Sequence, residues 1–147
     1  HLSRGDHATV SHMFIGAHAG THVDAPAHFI QGGKLIDSLD LHLLIGEALV
    51  VDTGKVEEFT EAYVGLTETG AEWLISHGVK LVGTDYLSVA SLPENVPAHR
   101  TLLGAEIILV EGLNLYDITA GGYTLICLPL KIDGAEGAPA RVVLEAK

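Results

Sequence analysis

Cysteine is almost missing from this sequence. Of 147 residues only Cys127 carries a thiol, which rules out an internal disulfide framework and suits a reducing, cytoplasmic compartment. Basic residues are nearly as scarce. Eight Lys and Arg stand against 19 Asp and Glu, a formal charge of −11 with no basic patch, so nucleic acid is excluded as a partner. No apolar run approaches the roughly 18 residues that a membrane span needs. The stretch 43–51 comes nearest and is interrupted by Gly46 and Glu47, so no membrane is expected either. Nothing at the start reads as a signal peptide, although a chain beginning at His1 leaves room for a leader. What is abundant is apolar mass and histidine. Hydrophobic residues make up 48% of the chain, enough for one core, and nine histidines outnumber the lysines and arginines together.

No linker, low-complexity stretch or repeat divides the chain, so residues 1–147 are read as a single domain. The apolar runs are short and rich in β-branched residues: 10–17, 48–51, 79–83, 107–110, 124–132 and 141–144. Each has strand length, and several are continuous enough to be buried on both faces. One helix is clear. Thr69 and Glu72 have capping-box spacing, Ala71, Leu74 and Ile75 form an apolar stripe, and Gly78 ends it before the strand at 79–83. Gly32–Gly33, Gly121–Gly122 and the pair Gly134 and Gly137 are expected to mark turns. The class is α/β or α+β with a mostly β core.

Chemistry concentrates between His18 and Phe29. Three imidazoles (His18, His22, His28) and the carboxylate of Asp24 fall within eleven residues, all at even positions. These side chains bind Zn, Mn or Fe, according to geometry. The spacing His18 to His22 would also fit one face of a helix. Gly20, the β-branched Thr21 and Val23, and Pro26 argue against a helix there. In a fully extended strand, residues four apart lie roughly 13 Å from each other, too far for one ion. Gly20 must therefore bend the chain if His18, His22 and Asp24 are to converge. Further along, His99 and Glu111 are candidate donors, Glu111 standing where an apolar strand leaves the core before Gly112. Asp24 and Glu111 would be the natural bridges of a two-metal centre. Lone histidines such as His42 and His77 read as structural, and His1, His7 and His12 have no evident partner, though His12 shares strand parity with His18. Cys127 and Trp73 read as packing residues, and Asp85 and Ser88 follow a strand end, where sites often form.

The run from His18 to Phe29 resembles the motif His-x-Gly-Thr-His-x-Asp-x-Pro-x-His-Phe of the cyclase family of metal-dependent hydrolases, to which bacterial kynurenine formamidase (arylformamidase) belongs. A second block, His99-Arg-Thr-Leu-Leu-Gly through Glu111-Gly-Leu, is similar too, as are 81–85 with Ser88, and 128–132 with 137–139. The resemblance implies a central mixed, partly barrel-like β-sheet flanked by helices, assembled as a homodimer. It implies a pair of zinc ions per subunit, with manganese as the alternative, on His18, His22, Asp24, His99 and Glu111. His28 would be the catalytic acid/base, and the reaction would be cleavage of a small aromatic N-formyl or N-acyl amide by a metal-activated water. N-formylkynurenine, giving kynurenine and formate, is the named example. Family members are longer. An N-terminal stretch that forms an aromatic wall of the substrate pocket, and a segment near 55–59, are expected to be missing here.

Two other readings compete. The same centre would open a cyclic amide such as an isatin-like lactam, or the donors would belong to a non-catalytic metal-binding domain. His28 separates the last from the first two, because a storage site has no use for a histidine held off the metal.

Overall fold

The computed structural model describes residues 1–54, 60, 63–91 and 94–147. Six strands among them form one mixed sheet: β1 (His22–Asp24), β2 (Ile45–Val50), β3 (Leu81–Gly83), β4 (Ile108–Glu111), β5 (Gly121–Pro129) and β6 (Gly137–Ala146). Their spatial order is β2-β5-β6-β1-β4-β3. Two helices accompany them, α1 (Glu68–Ser76) and α2 (Asn95–Gly104). The pair β3–β4 is parallel because α2 crosses over between them; every other pairing is antiparallel. The strand β6 serves both halves of the sheet. Residues Gly137, Ala138 and Pro139 pair with β1, and Ala140 to Ala146 pair with β5, so one continuous strand curls the sheet into a half-barrel.

Alternation along β4 shows why the sheet is buried on both faces. Ile108 and Val110 join Val23, Leu44, Cys127 and Ala138 on one side. Ile107 and Leu109 join Ala98, Leu102 and Leu103 on the other, the side covered by the helices. Each fully buried Leu contributes about 1.5–3 kcal/mol relative to exposure. Since Val23 faces the first cluster, period-two geometry turns its neighbours His22 and Asp24 to the helix side. That face carries the chemistry.

Five of the six expected strands correspond to β2–β6 with shifted ends. The run 10–17 does not form a strand. Val10, Met13, Phe14 and Ile15 are 55–108% exposed, since their spacing lacks period two and no strand among the described residues pairs with them. Gly121 and Gly122 open β5 opposite Val50 and Leu49 rather than forming a turn. The helix α1 is capped two residues earlier than expected. Thr67 has the extended backbone a cap needs, and its Oγ1 accepts from the Gly70 N–H at 3.1 Å, while Thr69 lies inside the first turn. Gly78, at φ 75°, ends it as expected. Trp73 is no packing residue: it is 57% exposed and stacks on His77 at 3.8 Å. Cys127 is fully buried, and burial pushes its thiol up to about 12, so it is an inert core residue. The expected gap near 55–59 falls outside the described residues. No helix among them is long and apolar enough to cross a membrane.

Candidate metal centre

The first histidine is folded back by glycine. Gly20 adopts φ +66°, and the bend over residues 17–21 returns His18 toward the β1 strand it precedes. The bend is pinned from across the sheet: Thr21 Oγ1 donates to the Gly112 carbonyl at 2.6 Å. Gly112 is itself at φ +66°, and a Cβ there would meet the Gly20 oxygen at 2.6 Å. The two glycines are what let the strand ends approach. Register does the rest. His22 stands directly opposite Glu111 on β4, and Asp24 opposite Gly137 on β6, where a Cβ would lie 2.6 Å from the His18 ring. From above, α2 lowers His99 onto the same face on a buried stripe with Ala98, Leu102 and Leu103.

Five predicted donors thereby converge. His18, His22 and Asp24 present ligand atoms within 4.8 Å of one another, and so do Asp24, His99 and Glu111. Asp24 belongs to both triads. Its Oδ1 lies 2.8 Å from His18 Nδ1 and 3.3 Å from His22 Nε2, and its Oδ2 lies 3.9 Å from His99 Nε2. Glu111 belongs to one triad only, with Oε1 3.2 Å from His99 Nε2, although its Oε2 comes within 3.5 Å of His22 Nε2. The expected sharing is thus carried by Asp24 more than by Glu111.

Each imidazole is oriented through its other nitrogen, as metal-ligating histidines are. Nδ1–H of His22 donates to the Gly20 carbonyl at 2.8 Å and Nδ1–H of His99 to the Asn95 carbonyl at 2.7 Å, so both aim Nε2 inward. His18 is reversed. Its Nδ1 faces Asp24 while Nε2 lies 3.3 Å from Glu136 Oε1. Glu136 was not visible as a site residue from the sequence, where it reads as a surface carboxylate in a turn. Ser88 does reach the site: its hydroxyl donates to Glu111 Oε1 at 3.0 Å, beside the Val89 N–H at 2.8 Å. Asp85, His1, His7, His12, His42 and His77 are exposed and take no part in either triad.

Electrostatics tests whether a cation fits. Asp24 is 1% exposed and Glu111 5%, and Asp24 Oδ2 is a buried oxygen without a hydrogen-bond partner. Buried carboxylates need a positive partner, because desolvation otherwise costs several kcal/mol. With no ion bound, that partner would be a proton on the facing imidazoles. Burial by itself would lower the His22 pKa, but hydrogen bonds to Asp24 and Glu111 outweigh it and raise the group from 6.5 to about 10. On Glu111, burial pushes upward, but hydrogen bonds from His22, His99 and the Val89 N–H outweigh it and carry the group down from 4.5 to about 2. His99 is raised likewise, the hydrogen bond to Glu111 overcoming its burial. Three imidazoles and two carboxylates around an orphaned oxygen suit a divalent ion.

A proton inventory follows with a definite sign. At pH 8 the metal-free chain holds a proton on His22, and a ligand must give it up. Calorimetric titration of zinc in buffers of differing ionisation enthalpy is therefore expected to show at least about one proton released at pH 8. Affinity should climb with pH up to about 10. Binding with no proton release would contradict this charge arrangement.

His28 stands beside the triads without joining either. It ends the short turn Pro26–His28, its ring lying 4.1 Å from the His18 ring and 6.5 Å from that of His99. Phe29 packs edge-on to it at 4.6 Å and stacks on His99 at 4.8 Å. Burial first, then the neighbouring imidazoles, lower the His28 pKa, while Asp24 and Glu136 act the other way. The ring is therefore neutral at physiological pH, and among the described residues no hydrogen bond occupies its nitrogens.

A family model described as "Putative cyclase" matches residues 4–64. Cyclase-like protein 3 of Oryza sativa subsp. japonica is 41% identical, the alignment covering 97% of this chain and 68% of that protein. The chain belongs to the cyclase family. Among other members, the kynurenine formamidase of Salinibacter ruber is 36% identical over 88% of the chain and 76% of its own length. The cyclase fold recurs in a "predicted metal-dependent hydrolase" from Bacillus stearothermophilus, at 29% identity and a TM-score of 0.81, with 94% of this chain and 82% of that one covered. This cyclase-family chain is accordingly a hydrolase.

Proposed function

We propose that the chain is a metal-dependent amidohydrolase that cleaves a small aromatic N-formyl or N-acyl amide, N-formylkynurenine being the model substrate. The observation that carries this reading is two triads sharing Asp24, with an uncommitted histidine packed beside them. His18, His22 and Asp24 would hold one ion, and Asp24, His99 and Glu111 the other, zinc or manganese suiting such a nitrogen-and-oxygen donor set. A divalent ion held there polarises a carbonyl and makes a water acidic near neutral pH.

His28 supplies the proton traffic. Neutral at working pH, it takes a proton from the attacking water as the water oxygen bonds to the acyl carbon. It then returns that proton to the amide nitrogen as the C–N bond breaks, leaving an acid and an amine. Without the second transfer the nitrogen would leave as an anion, which is why amide cleavage needs a group at this place. Phe29 touches both His28 and His99 and braces the two rings against each other. A cytoplasmic homodimer completes the proposal. The kynurenine formamidase of Salinibacter ruber among the relatives supports the choice of substrate class.

The test is a turnover assay on the zinc- or manganese-reconstituted chain, with N-formylkynurenine, simple N-formyl anilides, isatin and a simple ester as substrates. Amide hydrolysis is expected to vanish with a chelator and to return with the metal. Activity that survives complete metal removal overturns the mechanism. Isatin turned over in place of the open-chain amides would move the assignment to a cyclic lactam. Metal uptake with no hydrolysis of any of the four would leave a metal-holding domain.

A further inference from the structure

The two oxygens of Glu111 are not equivalent, and the difference leads back to Asn95, the first residue of α2. The Asn95 side-chain nitrogen lies 3.2 Å from the Ala90 carbonyl oxygen, which can only accept, so the orientation of the amide is fixed. The same nitrogen lies 3.0 Å from Ser88 Oγ. Ser88 therefore accepts from Asn95 and directs its own proton to Glu111 Oε1. At the other end of the residue, the Asn95 carbonyl accepts from His99 Nδ1–H at 2.7 Å, and His99 Nε2 faces Glu111 Oε1 at 3.2 Å. Asn95, Ser88, Glu111 and His99 thus close a ring of polar contacts. With the Val89 N–H also on Oε1, that oxygen is crowded with donors, whereas Oε2 is turned toward His22.

We propose that Asn95 is the positioning residue of the Asp24–His99–Glu111 triad. Its side-chain amide fixes the Glu111 rotamer through the Ser88 hydroxyl, while the main-chain carbonyl at the same position, which an alanine there would also supply, holds the tautomer and tilt of His99. Asn95 is not itself among the candidate donors. The assignment rests on the metal reading above, and it concerns one of the two ions. Partners of this kind, one shell out from a ligand, are each typically worth 10- to 100-fold in metal affinity.

The experiment is a zinc titration of the full chain against a chromophoric chelator, repeated with cobalt(II) so that visible absorption reports the geometry. For Asn95→Ala one of the two uptake steps is expected to weaken about 10-fold or more, with an altered cobalt spectrum, while the other step stays near wild type. Ser88→Ala should weaken the same step. Because the amide acts through the hydroxyl, the double variant should be no worse than Ser88→Ala alone. Ser88→Thr, which keeps the hydroxyl, should retain wild-type affinity. Equal weakening of both steps, additive losses in the double variant, or indifference to Asn95→Ala would overturn the assignment while leaving the metal reading intact. A wild-type chain that takes up neither zinc nor cobalt would remove both.

Discussion

Asp24→Asn is expected to empty both halves of the centre at once. The substitution keeps the side chain's volume but puts an NH2 group where an oxygen stood and deletes a charge from a site 1% exposed. Oδ1 of Asp24 serves His18 and His22, and Oδ2 points at His99, so no rotation of an asparagine leaves an acceptor for both triads. Since even partners outside the ligand set cost 10- to 100-fold, removing a shared donor should cost at least about 100-fold at each uptake step. Elemental analysis after dialysis reads the occupancy, and thermal melting gives an independent check. An ion that binds only the folded chain raises the melting temperature by mass action, so zinc should stabilise the wild type and leave Asp24→Asn unmoved. Glu111→Gln should differ in kind, losing one step and largely sparing the other. A zinc-dependent rise in melting temperature that persists in Asp24→Asn would mean that the shared carboxylate has been misread.

How much of this was legible beforehand depends on how local the cause is. The bend at Gly20 followed from arithmetic: His18 and His22 on an extended strand are too far apart for one ion, and Gly20 is indeed in the left-handed region. Most strand positions were legible too, because β-branched runs such as 107–110 have few other places to go. The run 10–17 misled, since apolar composition without period two does not specify a ladder. The helix α2 was not expected at all. Pro97 sits in its first turn, where the missing N–H costs nothing and the fixed φ suits the helix. That helix is what lowers His99 onto Asp24 and Glu111, so the completion of the second triad was beyond sequence spacing. Glu136, Asn95 and the oxygens of Glu111 were invisible for the same reason. Their roles exist only once β1 lies between β4 and β6 and α2 covers that face.

His28→Ala separates chemistry from binding. The ring lies tilted against His18 but contributes to neither candidate triad, so metal content should be unchanged while turnover of an N-formyl amide falls about 10²- to 10⁴-fold, the range for a lost general acid–base group. Two further readouts tell this apart from a damaged pocket. The first is the leaving group. An ester with a nitrophenolate leaving group needs no proton at departure, so its hydrolysis should lose far less than that of the amide, and the ratio of the two losses measures the donor function. The second is pH. Burial lowers the His28 pKa below 6.5, and positive charge held in the triads would push it the same way. As the base, the ring must be neutral, so wild-type kcat/KM should rise with pH through a value below 6.5 and level off above it. His28→Ala should lack that acid limb. If the variant retained the limb, or lost metal along with activity, the proton traffic would belong to another group, with His28 only buttressing His18.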